Sequence, residues 1–249
     1  FAGYVGSTIT ISGCLFSGVN EVEIGGTSIF PPAFTVNSSG TAITFSLPDN
    51  VSGLVSLSIP AGTRTHPTPL INLGYITNSS PVTDQHWLSG TSPWRGLAGG
   101  EQPPDDRSVL VAHRQVSITS NINIFNTSPA NEHRLTIAAP NSGFNPAIRL
   151  GVSDAIPNHP PLVLGSRAVL RTYNGNSNVN NDILPGFNAD FGTLHVVSNA
   201  SIALGAGQHA LRFDASDTMN WAPNTFLTIY NWKGTFDEQG TEGRIYFGS

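Results

Sequence analysis

The sequence predicts an all-β protein, and three observations carry that prediction. Only 11% of the 249 residues are charged, and Lys233 is the sole lysine, while Asn, Ser, Thr and Gly abound. Short runs of Val, Ile and Leu alternate with these uncharged polar residues, the pattern of strands with one solvated face. Leucines at sustained helical spacing do not occur, so long amphipathic helices are not expected. At this length the chain holds one large domain or two ordinary ones. Its change of character divides it into residues 1–82 and 83–249.

The first strand is Thr8-Ile-Thr-Ile-Ser12, which follows Val5-Gly-Ser7 and alternates strictly. Gly13 and Gly18 bracket a turn, Val22 to Ile24 form a second strand, and Gly25-Gly26 makes a hairpin corner. Phe34 to Pro48 and Val51 to Thr63 continue the series. In order and spacing, residues 1–63 resemble the IPT/TIG family of immunoglobulin-like domains. That resemblance implies an Ig-like β-sandwich, and an extracellular building block rather than a catalyst. Sequences of that family open on a strand of the Pro-x-Ile-x-x-Phe kind ahead of the Val-Gly-Ser turn, whereas this chain starts after it. A sandwich without that edge strand exposes unpaired N–H and C=O groups beside an apolar groove. A strand from another chain would fill the groove, which gives an expectation of self-association into an oligomer or filament.

Residues 64–82 read as a last strand and a linker. Trp87 to Asp106 is so rich in Gly and Pro that no regular element is expected there. Trp87 and Trp94 in this polar stretch either anchor it to a domain surface or face a sugar. From Ser108 onward short β runs recur: Ser108–Ala112, Gln115–Thr119, Ile122–Phe125, Arg134–Ala138, Ala147–Val152, Leu162–Leu164 and Ala168–Tyr173. They continue through Thr193–Val197, Ser201–Leu204, His209–Phe213, Phe226–Trp232 and Arg244–Phe247. Regular short strands separated by Asn/Gly/Pro/Ser turns suit a β-solenoid or a jelly-roll-like sandwich. Pieces such as Leu162 to Leu170 and Leu194 to Gly207 join two apolar strands through a tight polar corner, as stacked coils require. With the tail Phe226 to Ser249, this second region is similar to β-rich modules of large secreted surface proteins of Bacteroidetes-type bacteria. That likeness implies export, often through type IX secretion, and a place outside the cell or on its surface.

Charge and composition exclude some functions. With a net charge of −5 and no Lys/Arg cluster, the chain has nothing to neutralise phosphates, so nucleic acid is not an expected partner. No run of 18 apolar residues is present to span a membrane as a helix. Signal-peptide features are missing, so the sequence reads as a processed form or a fragment. Cys14 stands alone and reads as a small packed residue rather than a reactive thiol.

The search for catalytic groups returns little. The histidines, His66, His86, His113, His133, His159, His195 and His209, form neither His-Glu-x-x-His nor a zinc spacing with Cys14. Gly-x-Ser-x-Gly is missing, and Gly165-Ser166 lacks the flanks of a nucleophile elbow. The close carboxylate pairs are Asp105-Asp106, Asp214/Asp217 and Asp237-Glu238; neighbours on one strand point to opposite faces, which disfavours joint action on a glycosidic bond. Asn174 to Asp182 is dense in oxygen ligands within a Gly-containing loop, a pattern open to Ca2+ and equally to a metal-free turn. Asp182 or Asp190 would be the calcium ligand. Asn37, Asn50, Asn78, Asn126 and Asn199 each begin an Asn-x-Ser/Thr sequon, and Asp217-Thr218-Met219 fits the short O-glycosylation pattern of Bacteroidetes-type secreted proteins at Thr218.

Three readings follow. The first is a non-enzymatic surface protein, an adhesin stalk, filament or surface-layer subunit joined by β-strand contacts. The second is a carbohydrate-binding accessory module of a secreted polysaccharide-acting protein, with Trp87, Trp94, Trp221 and Trp232 as candidates for surface glycans. The third is a polysaccharide-degrading enzyme. The first is the expectation taken forward, with no cofactor required.

Overall fold

The computed structural model describes residues 2–49, 51, 54–59, 62–65, 70–72, 74–77, 84–88, 93–95, 97, 100–104, 108–122, 133–156, 158–176, 183–233 and 242–248. The fold is all-β, with no helix among the described residues. The chain divides into two compact units, Phe1–Tyr75 and Ile76–Ser249.

The first unit contains β1 (Ala2–Gly3), β2 (Thr8–Ser12), β3 (Glu21–Ile24), β4 (Thr27–Ile29), β5 (Phe34–Val36), β6 (Ala42–Ser46), β7 (Val55–Ile59), β8 (Gly62–Thr65) and β9 (Ile71–Asn72). One antiparallel sheet runs β2-β6-β5 and another β4-β3-β7-β8. Strand alternation aims every second side chain inward. Ile9 of β2, Val22 and Ile24 of β3, Ile43 and Phe45 of β6 and Val55 of β7 therefore share one buried cluster drawn from both sheets. Gly25 and Gly26 close the β3–β4 hairpin at φ 55° and 89°, a left-handed pair that side chains resist and glycine accepts.

The start of this unit is itself paired. β1 already lies parallel to β9, with Ala2 opposite Ile71 and Gly3 opposite Asn72. Val5 N–H donates to Gly74 O at 2.8 Å, and Leu47 exchanges 2.8 Å bonds with Gly6 and Ser7. These bonds tie the opening residues to β9 and to the residue that follows β6.

The second unit follows β10 (Tyr75–Ile76) and contains β11 (Asp84–His86), β12 (Val109–Val111), β13 (Gln115–Ile118), β14 (Leu135–Ile137), β15 (Ala147–Leu150), β16 (Leu162–Leu164) and β17 (Val169–Arg171). It ends with β18 (Ala189–Phe191), β19 (Leu194–Val196), β20 (Ala200–Ala203), β21 (His209–Phe213), β22 (Leu227–Tyr230) and β23 (Gly243–Phe247). Its sheets run β10-β12-β14-β16-β19, β11-β13-β15-β17-β20-β22 and β18-β21-β23. The ladders from β11–β13 to β21–β23 are parallel, each pass of the chain lying in register on the one before. A jelly roll is built from antiparallel strands, so that half of the expectation is corrected. β11, just ahead of the Gly/Pro-rich stretch, and β18 are further strands the sequence reading did not contain.

Register makes columns of like side chains. Val116, Ile148, Leu170, Ile202 and Ile229 succeed one another across one sheet. Val109, Leu135, Leu162 and Leu194 do so across another. Phe191 stacks on Phe213 at 5.7 Å between ring centroids, and Phe213 on Phe247 at 5.3 Å, each pair inclined by 19°. Each sealed column member contributes roughly 1.5–3 kcal/mol of burial. The corner between β16 and β17 shows why the turns are so small: a Cβ on Gly165 would lie 2.5 Å from that of Ala138 on the preceding pass.

Candidate functional site

The two tryptophans proposed to meet sugar are packed instead. Trp87 and Trp94 are buried at 2% and 0% exposure and meet edge to face, with ring centroids 4.5 Å apart and planes at 63°. A sugar platform needs an open ring face, so the glycan assignment to these two residues is corrected. Trp94 also bridges to Thr77, whose hydroxyl accepts from the Ala112 and His113 N–H groups at 3.0 and 3.2 Å. Trp221 and Trp232 are partly open, and the indole N–H of Trp221 donates to Leu194 O at 3.2 Å.

Of the two proposed calcium ligands the structure describes one. Asp182 lies outside the described residues. Asp190, on β18, accepts from Arg212 at 3.2 Å, with the His159 ring 3.9 Å away. A divalent cation there would be held against a guanidinium, so the Asp190 assignment gives way to an ion pair. Asn176, near the start of that Asn-rich loop, accepts from the Arg149 guanidinium. Among the described residues no group of three or more His, Cys, Asp or Glu side chains is placed to hold a metal. Of the carboxylate pairs, Asp105-Asp106 and Asp237-Glu238 lie outside the described residues, and Asp214 and Asp217 are exposed beyond β21.

Cys14 is exposed rather than packed. Thr218 is exposed in a turn, an accessible position for a sugar. Asn37 and Asn199 are exposed, but their carboxamides already hold the backbone. Asn37 Oδ1 accepts from Thr41 and Ala42 N–H, and Asn199 Oδ1 accepts from Phe226 N–H at 2.9 Å. Asn50, Asn78 and Asn126 lie outside the described residues.

Four of the histidines act as ties between passes. His86 Nδ1 meets Ser117 Oγ at 3.0 Å, His113 Nδ1 donates to Thr77 O at 3.0 Å, and His195 Nε2 donates to Asn220 O at 3.0 Å. His209 is the most enclosed. Its Nδ1–H donates to Gly207 O at 3.0 Å, so Nε2 is left to accept from the Thr172 hydroxyl at 2.8 Å. That hydroxyl in turn accepts from Gly205 N–H at 2.9 Å. A Cβ on Gly186 would lie 2.2 Å from the ring and one on Gly243 2.6 Å, so two glycines from other passes form the slot. Burial pushes the ring below the usual histidine range, while the Gly207 bond and the nearby Glu242 charge pull the other way. Sequence reading missed this arrangement, since Gly186 and Gly243 are remote from His209 along the chain.

Exposed apolar side chains gather on the pass formed by β22 and β23. Phe226, Ile229, Trp232, Tyr246 and Phe247 are all at least partly open. Below them the outer face of the third sheet is polar: Asp190 pairs with Arg212, whose guanidinium carbon lies 5.8 Å from the centre of the Tyr246 ring. The last pass therefore joins an open apolar rung to a neutralised flank.

No family model matches the chain, and no curated protein matches it. Among solved structures, the chain is similar to one described as a crystal structure of domains CD (residues 230–489) of a longer protein. The likeness has 28% identity and a TM-score of 0.27 and covers 32% of each chain, so the match spans about a third of that chain's length. No helix among the described residues is long and apolar enough to cross a membrane.

Proposed function

We propose that this chain is a non-enzymatic structural or adhesive protein of the cell exterior, in which an Ig-like sandwich of the IPT/TIG kind precedes a β-solenoid and copies associate through β-strand contacts. The observation that carries this reading is the run of parallel, in-register ladders with continuous apolar columns. Such a body is stiff along its stacking direction, because each pass is held to the next by a whole row of hydrogen bonds and by matched side chains. Four of the histidines support it too, being engaged in tying one pass to another.

Negative-stain electron microscopy with light scattering on the purified chain tests the proposal. Filaments or a defined oligomer are expected. Monodisperse 26.3 kDa particles at all concentrations would argue against it.

A carbohydrate-binding module is the second reading, favoured by the partly open rings of Trp221 and Trp232. Affinity electrophoresis in soluble polysaccharides tests it. Retardation that is lost in Trp221→Ala and Trp232→Ala would support glycan binding, and unchanged mobility across a panel of polysaccharides would count against it.

A further inference from the structure

A row of polar side chains crosses the outer face of the third sheet. Asp190 on β18 lies opposite Arg212 on β21, and Arg212 opposite Tyr246 on β23, so neighbours stand about one strand spacing, 4.8 Å, apart. The residues that follow them, Phe191, Phe213 and Phe247, stack on the opposite face, which leaves this row pointing outward. His159, from the segment between β15 and β16, joins the row beside Asp190.

The row is held in place before anything meets it. Asn158 and His159 have φ of 63° and 44°, a left-handed conformation uncommon outside glycine. His159 also stands directly ahead of Pro160, where the backbone is further restricted. Backbone so placed persists only where its surroundings over-determine it, and such residues gather at ligand sites. Here Asp154 N–H donates to Asn188 O at 2.9 Å, Asn188 N–H to Ser153 Oγ at 3.0 Å and Gly192 N–H to Pro160 O at 3.1 Å. These bonds fasten the segment to both ends of β18. A Cβ on Gly192 would lie 2.7 Å from His159 O, so only glycine permits this approach. The Tyr246 ring, 5.8 Å from the guanidinium carbon, steadies Arg212 in turn.

Most of the row's hydrogen-bonding capacity is unspent. Among the described residues, Asp190 accepts one hydrogen bond, on Oδ1 from Arg212 at 3.2 Å, and Arg212 donates no other. A guanidinium carries a fork of donors and a carboxylate several acceptor sites, so both remain open to a ligand. Their side chains are 54% and 31% exposed, and that of His159 is 57% exposed. Asp190 Oδ2 lies 3.9 Å from His159 Nε2, too far for a direct hydrogen bond and a fitting span for one oxygen between them. The opposite charges of Asp190 and Arg212 offset each other, so the row favours an uncharged partner. Hydroxyl groups donate and accept at once and match this alternation of acceptor and donor. One fits between Asp190 Oδ2 and His159 Nε2, and its neighbour accepts from Arg212. We propose that this row is a subsite for an uncharged saccharide bearing hydroxyls on adjacent carbons. None of the three groups that meet the hydroxyls stands on the outermost strand. The inference extends the adhesive part of the function proposed above, and it stands whether or not copies associate.

Affinity electrophoresis of the 249-residue chain in gels holding soluble mannan, dextran, xyloglucan or mixed-linkage β-glucan tests it, with hyaluronan as the charged comparison. Retardation by at least one uncharged polysaccharide is expected, and Asp190→Ala and Arg212→Ala should each weaken it roughly ten-fold or more. His159→Gln, which keeps a side-chain donor, should retain more binding than His159→Ala. Far-UV circular dichroism checks the fold of each variant. Should an alanine variant lose its fold, Asp190→Asn and Arg212→Lys, which keep the size of the side chain, are expected to weaken binding in its place. Retardation by no uncharged polysaccharide, or by hyaluronan alone, would overturn the proposal. Binding that survives the Asp190 and Arg212 substitutions would overturn it too, and its loss in Trp221→Ala or Trp232→Ala would leave the tryptophan reading standing. Light scattering on the same samples reports self-association separately, so failure of the subsite is distinguishable from failure of the structural reading.

Discussion

At the scale of single residues, His209 makes stability depend on pH. Its ring sits below the usual histidine range because burial disfavours the cation. An unfolded histidine titrates near 6.5, so as the pH falls past about 6.5 the unfolded chain takes up a proton that the folded chain refuses. Stability from this group is thus full above about pH 6.5 and declines as the pH falls toward the folded value. Chemical denaturation at pH 7.5 and 5.5 should show a lower midpoint at 5.5, and His209→Gln should flatten that difference. Carboxylates as a class protonate mainly below this window, so a flat wild-type profile would refute the assignment. The slot itself is sensitive to volume. Gly186→Ala puts a methyl group against the ring, and an overpacking cost of about 1–3 kcal/mol is expected in the same measurement.

At the scale of elements, one column provides its own control. Leu170 and Ile229 occupy the same inward column, but Leu170 is fully sealed and Ile229 is 38% exposed. Leu170→Ala should cost about 2–5 kcal/mol in denaturant unfolding, and Ile229→Ala markedly less, because a cavity at an open edge relaxes and fills with water. Equal costs would mean that the last rung is as tightly enclosed as the middle of the stack. The elements themselves were largely readable: alternation located most strands to within a residue or two, and corners such as Gly165-Ser166-Arg167 marked where the chain turns from one sheet to the next. In the second unit β11 and β18 escaped. Asp84-Gln85-His86 has no apolar alternation to read, and Ala189-Asp190-Phe191 is too short to stand out from its Asn- and Gly-containing surroundings. Parallel pairing was equally hidden, since it is set by contacts between passes of unequal length rather than by any local pattern. For the same reason Trp87 and Trp94 could be singled out as partners but not seen to pack on each other.

At the scale of the whole molecule, the arrangement predicts where opening starts. A pass in the middle of the stack is hydrogen-bonded on two sides, whereas β22 and β23 are bonded on one. Hydrogen exchange should therefore be fastest at β22 and β23 and slowest at β15 and β17, with opening proceeding inward from the last rung. Uniform protection across the second unit would instead indicate a single all-or-none transition.

The in-register ladders also turn the body into a ruler. Leu135, Leu162 and Leu194 open three successive passes and pair directly, Leu135 with Leu162 and Leu162 with Leu194. Each pass therefore advances the stack by one strand spacing, about 4.8 Å, whatever the length of the loop it carries. Loops between strands can grow or shrink without altering that pitch. Reach is then set in whole steps by the number of passes, and decoration by the loops, so the two can be varied independently.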